Sequence, residues 1–185
     1  MSTLPPALRL GGRYLLQHRL GEGGCGVVWQ AWDEEALRPV AVKVLKLRSP
    51  QAERRLQREA RITMALRHAN IVHVDSVLVF GDDDEQELAL VMELLTGRSL
   101  AAVIQARKAL PLPLAAELFV PVLDAVEAAH AAGVVHRDLK PDNVFLSRES
   151  GRVVPKVLDF GVAKLTHMNG VVPVSMTTTA TAPQM

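Results

Sequence analysis

Short apolar runs dominate the first half of the chain, and their composition is typical of β-strands. Residues 13–20, 27–33 and 39–47 are rich in Val, Leu, Trp and Tyr, and a glycine-rich turn and an Asp-Glu-Glu turn separate them. Residues 72–80 and 87–94 form two more such runs on either side of an acidic turn. The pattern therefore predicts five strands in this half.

Two segments carry the period of an amphipathic helix. Residues 51–67 follow a Ser-Pro pair that is typical of a helix start, and small or apolar residues line one face. Residues 114–132 form a longer segment that Gly133 should end. The apolar face of this longer helix carries Leu118, Val122, Ala125 and Ala129. Pro121 lies inside it and should kink the helix or cost about 3 kcal/mol.

The remainder of the second half is less regular. Short β-like pieces are predicted at residues 134–135, 144–146 and 153–158. The segment 167–185 is rich in Thr, Val and Pro without periodicity, and we expect a loop there.

Composition narrows the class of protein. The chain has 185 residues, of which 49% are hydrophobic and 22% charged, so it can bury a core and is not a disordered segment. A net charge of +1 argues against a nucleic-acid partner, and the single cysteine excludes a disulfide framework. Charged residues interrupt the most apolar stretch, 114–135, so it should not span a membrane, and we expect a cytoplasmic protein.

A glycine-rich segment at residues 21–28 fits the pattern G-x-G-x-x-G-x-V. Three glycines in a tight turn can simply form a hairpin. The alternative is a loop whose exposed backbone amides lie over a polyphosphate. A dinucleotide-binding turn is disfavoured, because a strand rather than a helix follows and Lys43 stands near the position where that motif has an acidic residue.

Lys43 lies inside an apolar strand. It could point to a solvated face, but if it is buried it needs an anionic partner. Glu59 is the candidate partner, since it lies on the apolar side of the predicted helix 51–67. A surface position for Glu59 remains the alternative.

A run of polar and charged residues follows the longer helix: His136-Arg137-Asp138-Leu139-Lys140-Pro141-Asp142-Asn143. Asp159-Phe160-Gly161 follows 16 residues after Asn143. Together with the glycine-rich segment and Lys43, this set clearly resembles the protein kinases of the Ser/Thr type. An excess of Arg (15) over Lys (6) hints at a GC-rich bacterial genome, and the resemblance is therefore to the bacterial, eukaryotic-like members.

The resemblance implies an ATP- and Mg²⁺-dependent phosphotransferase acting on protein Ser and Thr hydroxyls. Asp138 would act as the base and Lys140 would meet the γ-phosphate. Lys43 would hold the α- and β-phosphates while Glu59 fixes its ammonium. Two oxygen-bearing side chains would hold the magnesium ions: Asn143 and Asp159.

The resemblance also implies an adenine pocket. Val28 and Ala41 would cover one face of the ring and Phe145 the other. Met92 would stand at the back, and the backbones of Glu93 and Leu95 would bind the adenine edge. The loop over the phosphates would consist of Gly21, Glu22, Gly23, Gly24, Cys25 and Gly26.

The expected fold is α+β and bilobal. A five-stranded lobe with one helix (residues 14–95) would bind ATP, and an incomplete, mainly helical lobe (residues 96–185) would carry the catalytic loop. The family continues beyond an activation loop, so the resemblance implies a truncated domain that leaves Leu118 and Val122 facing water or a partner. The alternative function is a catalytically impaired, nucleotide-binding regulatory fragment.

Phosphorylation of the chain itself is a further expectation. Arg137 precedes the base, as in kinases whose activation loop is phosphorylated. The candidate acceptors are Thr177, Thr178, Thr179 and Thr181, with Ser175 before them. A threonine-rich tail without this role is the alternative.

Overall fold

The computed structural model describes residues 8–23, 26–46, 63–80 and 87–160. Strands β1 to β6 come first: Arg9–Leu10, Tyr14–Gly23, Gly26–Asp33, Arg38–Lys46, Val74–Phe80 and Glu87–Glu93. Strand β7 and two helices follow: Gly97–Ser99, α1 at Leu100–Arg107 and α2 at Leu112–Ala131. A 3₁₀ turn and the last two strands complete the described part: Pro141–Asn143, β8 at Val144–Glu149 and β9 at Arg152–Val157.

The first lobe is built on an antiparallel sheet with the strand order β1-β2-β3-β4-β6-β5. Five of these strands coincide with the five predicted runs. The sixth, β1, has only two residues, too few for an alternating pattern to mark it in the sequence. Ala41 and Met92, which pair across β4 and β6, are buried in an apolar cluster on one face of the sheet.

The second lobe contains the two helices and a three-stranded sheet with the order β7-β8-β9. The predicted strands at 144–146 and 153–158 are confirmed as β8 and β9, whereas residues 134–135 are not a strand. Those two residues directly follow Gly133, which ends α2, and they lead into segment 136–143. Helix α1 was not predicted, although Ser99 caps it by accepting a hydrogen bond from the amide of Ala102 at 3.2 Å.

Helix α2 confirms the predicted long helix and runs through Pro121 without interruption. Its predicted apolar face is buried against the second lobe's core. The expectation that Leu118 and Val122 face water is therefore wrong, since the two are 5% and 2% exposed. Packing of this face against β9 and Phe160 offsets the loss of a backbone hydrogen bond at the proline. The exposed apolar residues of α2 lie on the other side: Leu112, Phe119, Val120 and Leu123.

The segment before β5 ties the first lobe to the second. Asn70 donates its side-chain amide to the carbonyl of Pro155 at 2.8 Å, and its own carbonyl accepts from the amide of Val157 at 2.8 Å. The amide of Val72 donates to the carbonyl of Val157 at 3.0 Å. Residues 63–65 are helical, as predicted for the end of the helix 51–67, and residues 51–62 lie outside the described part.

Candidate functional site

The segment 136–143 is fixed to the end of β9 at both of its ends. His136 Nε2 donates to the carbonyl of Leu158 at 2.7 Å, and the amide of Leu158 donates to the carbonyl of Asn143 at 2.8 Å. His136 is buried, and its ring meets that of Phe160 edge-on with centroids 4.8 Å apart. Because Leu158 immediately precedes Asp159, these hydrogen bonds fix the position of the segment that carries Asp138 relative to Asp159.

The carboxylate of Asp138 is held by two neighbours within this segment. Asn143 donates to Asp138 Oδ2 at 3.1 Å and to the Asp138 carbonyl at 2.8 Å, and Lys140 Nζ lies 3.0 Å from Oδ2. Partial burial acts to raise the pKa of Asp138, but the hydrogen bond and charge of Lys140, with the Asn143 amide, outweigh it and lower that pKa. Asp138 is therefore ionised at neutral pH and can accept a hydrogen bond from a hydroxyl.

Lys43 is buried, with a side chain that is 3% exposed, so the solvated-face alternative is excluded. Its ammonium donates to Asp159 Oδ1 at 2.7 Å. Asp159 has φ +58°, a left-handed conformation that is uncommon for a residue with a side chain and frequent at functional sites. Glu59, the partner expected from the sequence, lies outside the described residues.

Asn143 and Asp159 carry the oxygen ligands that divalent cations such as Mg²⁺ prefer. Asn143 uses its side-chain NH₂ group on Asp138, which leaves its amide oxygen without a hydrogen bond in the described part of the chain. Asp159 engages Lys43 through one carboxylate oxygen, Oδ1. The residues present therefore fit a hard cation. Among the described residues, no three His, Cys, Asp or Glu side chains come close enough together to hold a metal ion.

Four of the residues predicted to surround adenine belong to one apolar cluster, and Phe145 is not among its members. Val28, Ala41 and Met92 are buried in it, and Leu95 packs against them. The same cluster includes Leu20 and Leu158, which the sequence analysis missed. Their positions in the sequence could have identified them, because Leu20 directly precedes the first glycine of the loop and Leu158 directly precedes Asp159.

Phe145 lies on β8, opposite Ser99 of β7 and Lys156 of β9. Gly97 allows this packing, because a Cβ there would stand 2.0 Å from the Leu146 carbonyl oxygen and 3.2 Å from Cε1 of Phe145. Glu93 ends β6, and the short link from Leu94 to Thr96 leads into β7. The strand that carries Phe145 therefore lies beside β7, the strand into which the link between the lobes leads.

The glycine-rich segment forms a hairpin between β2 and β3. Gly21 pairs with Val28, Glu22 with Val27 and Gly23 with Gly26. Gly26 has φ +136°, and a Cβ there would stand 2.0 Å from the carbonyl oxygen of Val44, so only glycine fits. A strand follows the glycines, which confirms that the turn is not of the dinucleotide-binding type. Gly24 and Cys25 lie outside the described residues.

The expected phosphorylation sites Thr177, Thr178, Thr179 and Thr181, with Ser175, also lie outside the described residues. None of the helices in the described part combines the length and the hydropathy that a membrane crossing requires.

Comparison with known proteins places these observations in a family. The protein kinase domain family matches residues 14–185. The chain is 38% identical over 175 residues to the serine/threonine-protein kinase PkaA of Streptomyces coelicolor, covering 87% of this chain and 32% of that protein. It is 41% identical over 159 residues to PknA of Mycobacterium tuberculosis (84% of this chain, 36% of that protein). It is 42% identical over 162 residues to Pkn1 of Myxococcus xanthus (83% and 22%).

The chain spans about a third or less of the length of these three relatives. The family match nevertheless covers almost all of the chain, including the fixed segment 136–143 and the Lys43–Asp159 contact. The chain therefore belongs to the protein kinase domain family, among the bacterial serine/threonine kinases.

Proposed function

We propose that this domain transfers the γ-phosphoryl group of ATP to Ser or Thr hydroxyls of proteins. The observation that carries the proposal is the contact between Lys43 and Asp159, together with the hydrogen bonds that tie the segment of Asp138 to Leu158, the residue before Asp159. Phosphoryl transfer requires chiefly positioning and neutralisation of charge, and this site offers both cations and carboxylates.

The adenine would lie in the apolar cluster, between Val28 and Ala41 on one side and Phe145 on the other. Leu20 and Leu158 extend these walls. The backbone groups of Glu93 and Leu95 would bind the edge of the ring. Backbone groups suit this task because their positions do not depend on a side-chain rotamer.

Lys43 would bind the α- and β-phosphates, and the glycine hairpin 21–26 would cover them. Asn143 and Asp159 would hold Mg²⁺, which when bound neutralises charge on the phosphate oxygens. The Asp138 carboxylate, kept ionised by its lowered pKa, would orient the substrate hydroxyl and accept its proton. Lys140, 3.0 Å from Asp138, would then be placed to meet the γ-phosphate.

Calorimetric titration with ATP, in the presence and absence of Mg²⁺, tests the proposal. We expect saturable binding that is at least about tenfold tighter with Mg²⁺, because the cation adds charge-assisted contacts. The same affinity for ATP in EDTA as in Mg²⁺, or an absence of binding, would contradict the proposed nucleotide site. Binding of ATP without any transfer to protein would instead favour the regulatory alternative.

A further inference from the structure

An ion pair between a buried lysine and a partly buried glutamate joins the two lobes near the link between them. Lys156 of β9 directs its ammonium to both carboxylate oxygens of Glu93, at 2.9 and 3.0 Å. The Lys156 side chain is 9% exposed and that of Glu93 is 26% exposed. An ammonium this deeply buried requires a fixed anionic partner. None of the proposed steps of phosphoryl transfer uses Lys156.

The Glu93 carboxylate also holds the first lobe. Its Oε1 accepts from the backbone amide of His73 at 2.8 Å, and the Glu93 amide donates to the His73 carbonyl at 3.0 Å. The end of β6 is therefore tied on one side to the residue before β5 and on the other to β9. Glu149 is a second carboxylate near Lys156, at 3.4 Å, but it lies on β8 and is 43% exposed.

Lys156, the other member of the ion pair, lies next to a residue of the proposed adenine pocket. Lys156 pairs directly with Phe145 across β8 and β9. One ion pair thus links the strand that carries Phe145 with the strand end whose backbone would bind the adenine edge. The pair therefore constrains the spacing between these two parts of the proposed pocket.

We infer that Lys156 and Glu93 are positioning residues that set the affinity for the adenine moiety of the nucleotide. The inference rests on the proposed function. The Lys156–Glu93 pair holds the distance between the link backbone and Phe145, so that the adenine meets a preformed slot. Preformed geometry improves affinity because less ordering is needed on binding.

The test measures binding of adenosine and of Mg²⁺-tripolyphosphate separately, by competition with a fluorescent ATP analogue. In Lys156→Met and in Glu93→Gln we expect adenosine to bind about tenfold more weakly, the size of effect one lost hydrogen bond produces. Affinity for Mg²⁺-tripolyphosphate should stay within about twofold, since Lys43 and Asp159 are untouched. General damage to the fold would weaken both ligands together, and that result would overturn the inference.

Glu93→Gln is the sharper variant, because the glutamine carbonyl can still accept from His73 while the charge facing Lys156 is lost. Lys156→Arg should retain most of the adenosine affinity. Glu149→Gln is the matched control, since it removes a carboxylate from Lys156 without touching the link, and should leave adenosine binding unchanged. The double variant Glu93→Gln/Lys156→Met should bind adenosine no more weakly than Lys156→Met alone.

Two failures can be told apart. If the unaltered chain does not bind ATP with Mg²⁺, the proposed function fails and this inference fails with it. If the unaltered chain binds ATP but Glu93→Gln and Lys156→Met bind adenosine as tightly as it does, only the inference is overturned. If Glu149→Gln weakens adenosine binding as much as Glu93→Gln does, the inference is also overturned, because the effect would then not depend on the Lys156–Glu93 pair.

Discussion

The ammonium of Lys43 lies 2.7 Å from Oδ1 of Asp159, although 116 residues separate the two along the chain. Lys43 belongs to the central strand β4 of the first lobe, and Asp159 follows the last strand of the second. The contact spans the gap between the lobes, and both side chains are largely buried there. A nucleotide bound between the lobes would therefore meet a cation and a carboxylate that the fold already brings together.

Replacing either member of this pair should weaken nucleotide binding. We expect Lys43→Met and Asp159→Asn each to reduce the affinity for ATP with Mg²⁺ by roughly 10- to 100-fold, because each removes charge-assisted contacts. Lys108→Met, the same substitution at an exposed lysine, is the control and should leave the affinity unchanged. Calorimetry measures all three, and equal affinities across the set would refute the assignment of Lys43 and Asp159.

The pKa of Asp138 should depend on Lys140. Lys140 supplies a hydrogen bond and a positive charge that oppose the effect of burial, so Lys140→Met should raise the pKa of Asp138. Because the pKa of Asp138 is lowered in the intact protein, its carboxylate keeps its charge to a lower pH than an ordinary aspartate does. Carbon-detected NMR titration of the Asp138 carboxyl checks both statements. If the pKa of Asp138 is the same in Lys140→Met as in the intact protein, Lys140 does not lower that pKa and the prediction is wrong.

Asp33 should make stability depend on pH at acid pH. Its carboxylate accepts two hydrogen bonds from Arg13, both at 2.7 Å, and these lower its pKa from 3.8 to about 2 despite burial. The sign follows from linkage: the contribution is complete above the unfolded value near 3.8 and disappears as the pH falls through about 2. Urea unfolding should therefore show a gap between the intact chain and Asp33→Asn that is constant above pH 5 and narrows below about pH 4.

Glu34→Gln is the comparison for this prediction, because Glu34 forms an exposed pair with Arg9 on the same turn. Exposed pairs contribute little, so its unfolding free energy should differ from that of the intact chain by less than about 1 kcal/mol. A gap for Asp33→Asn that does not change between pH 6 and pH 2 would show that Asp33 is not the linked group.

Gly97→Ala should destabilise the second lobe strongly. The backbone there has φ +154°, which alone costs a residue with a side chain roughly 1–3 kcal/mol, and the new methyl group would meet the Leu146 carbonyl at 2.0 Å. Gly12→Ala is the control: φ is also positive, at +69°, but the surrounding space is open. Thermal unfolding should show the larger loss for Gly97→Ala, and equal losses would mean that the contact with β8 does not constrain this position.

The strands could be predicted because short runs rich in Val, Leu, Trp and Tyr, such as the run that forms β4, lie between turn residues. The longer helix could be predicted because the buried face of α2 recurs every three or four residues. The candidate site residues Asp138 and Asn143 could be proposed from the sequence, because the phosphoryl transfer that the family resemblance implies restricts residue types and their spacing.

What the sequence did not reveal depends on contacts between distant segments. β1 and β7 are two and three residues long, so they exist only through pairing with longer strands. Leu118 is buried because β9 and Phe160 pack against α2, and no local sequence pattern predicts that packing. The Lys156–Glu93 pair joins positions 63 residues apart, and neither residue belongs to a catalytic motif.

Transfer of labelled γ-phosphate from ATP to a protein substrate such as casein, with phosphoamino-acid analysis of the product, tests the central claim most directly. The intact domain and Asp138→Asn should be compared, with Asp124→Asn on the exposed side of α2 as the control. We expect phosphoserine or phosphothreonine, a rate about 100-fold or more lower in Asp138→Asn, and an unchanged rate in the control. Phosphotyrosine as the main product, or a loss of less than about tenfold in Asp138→Asn, would contradict the account.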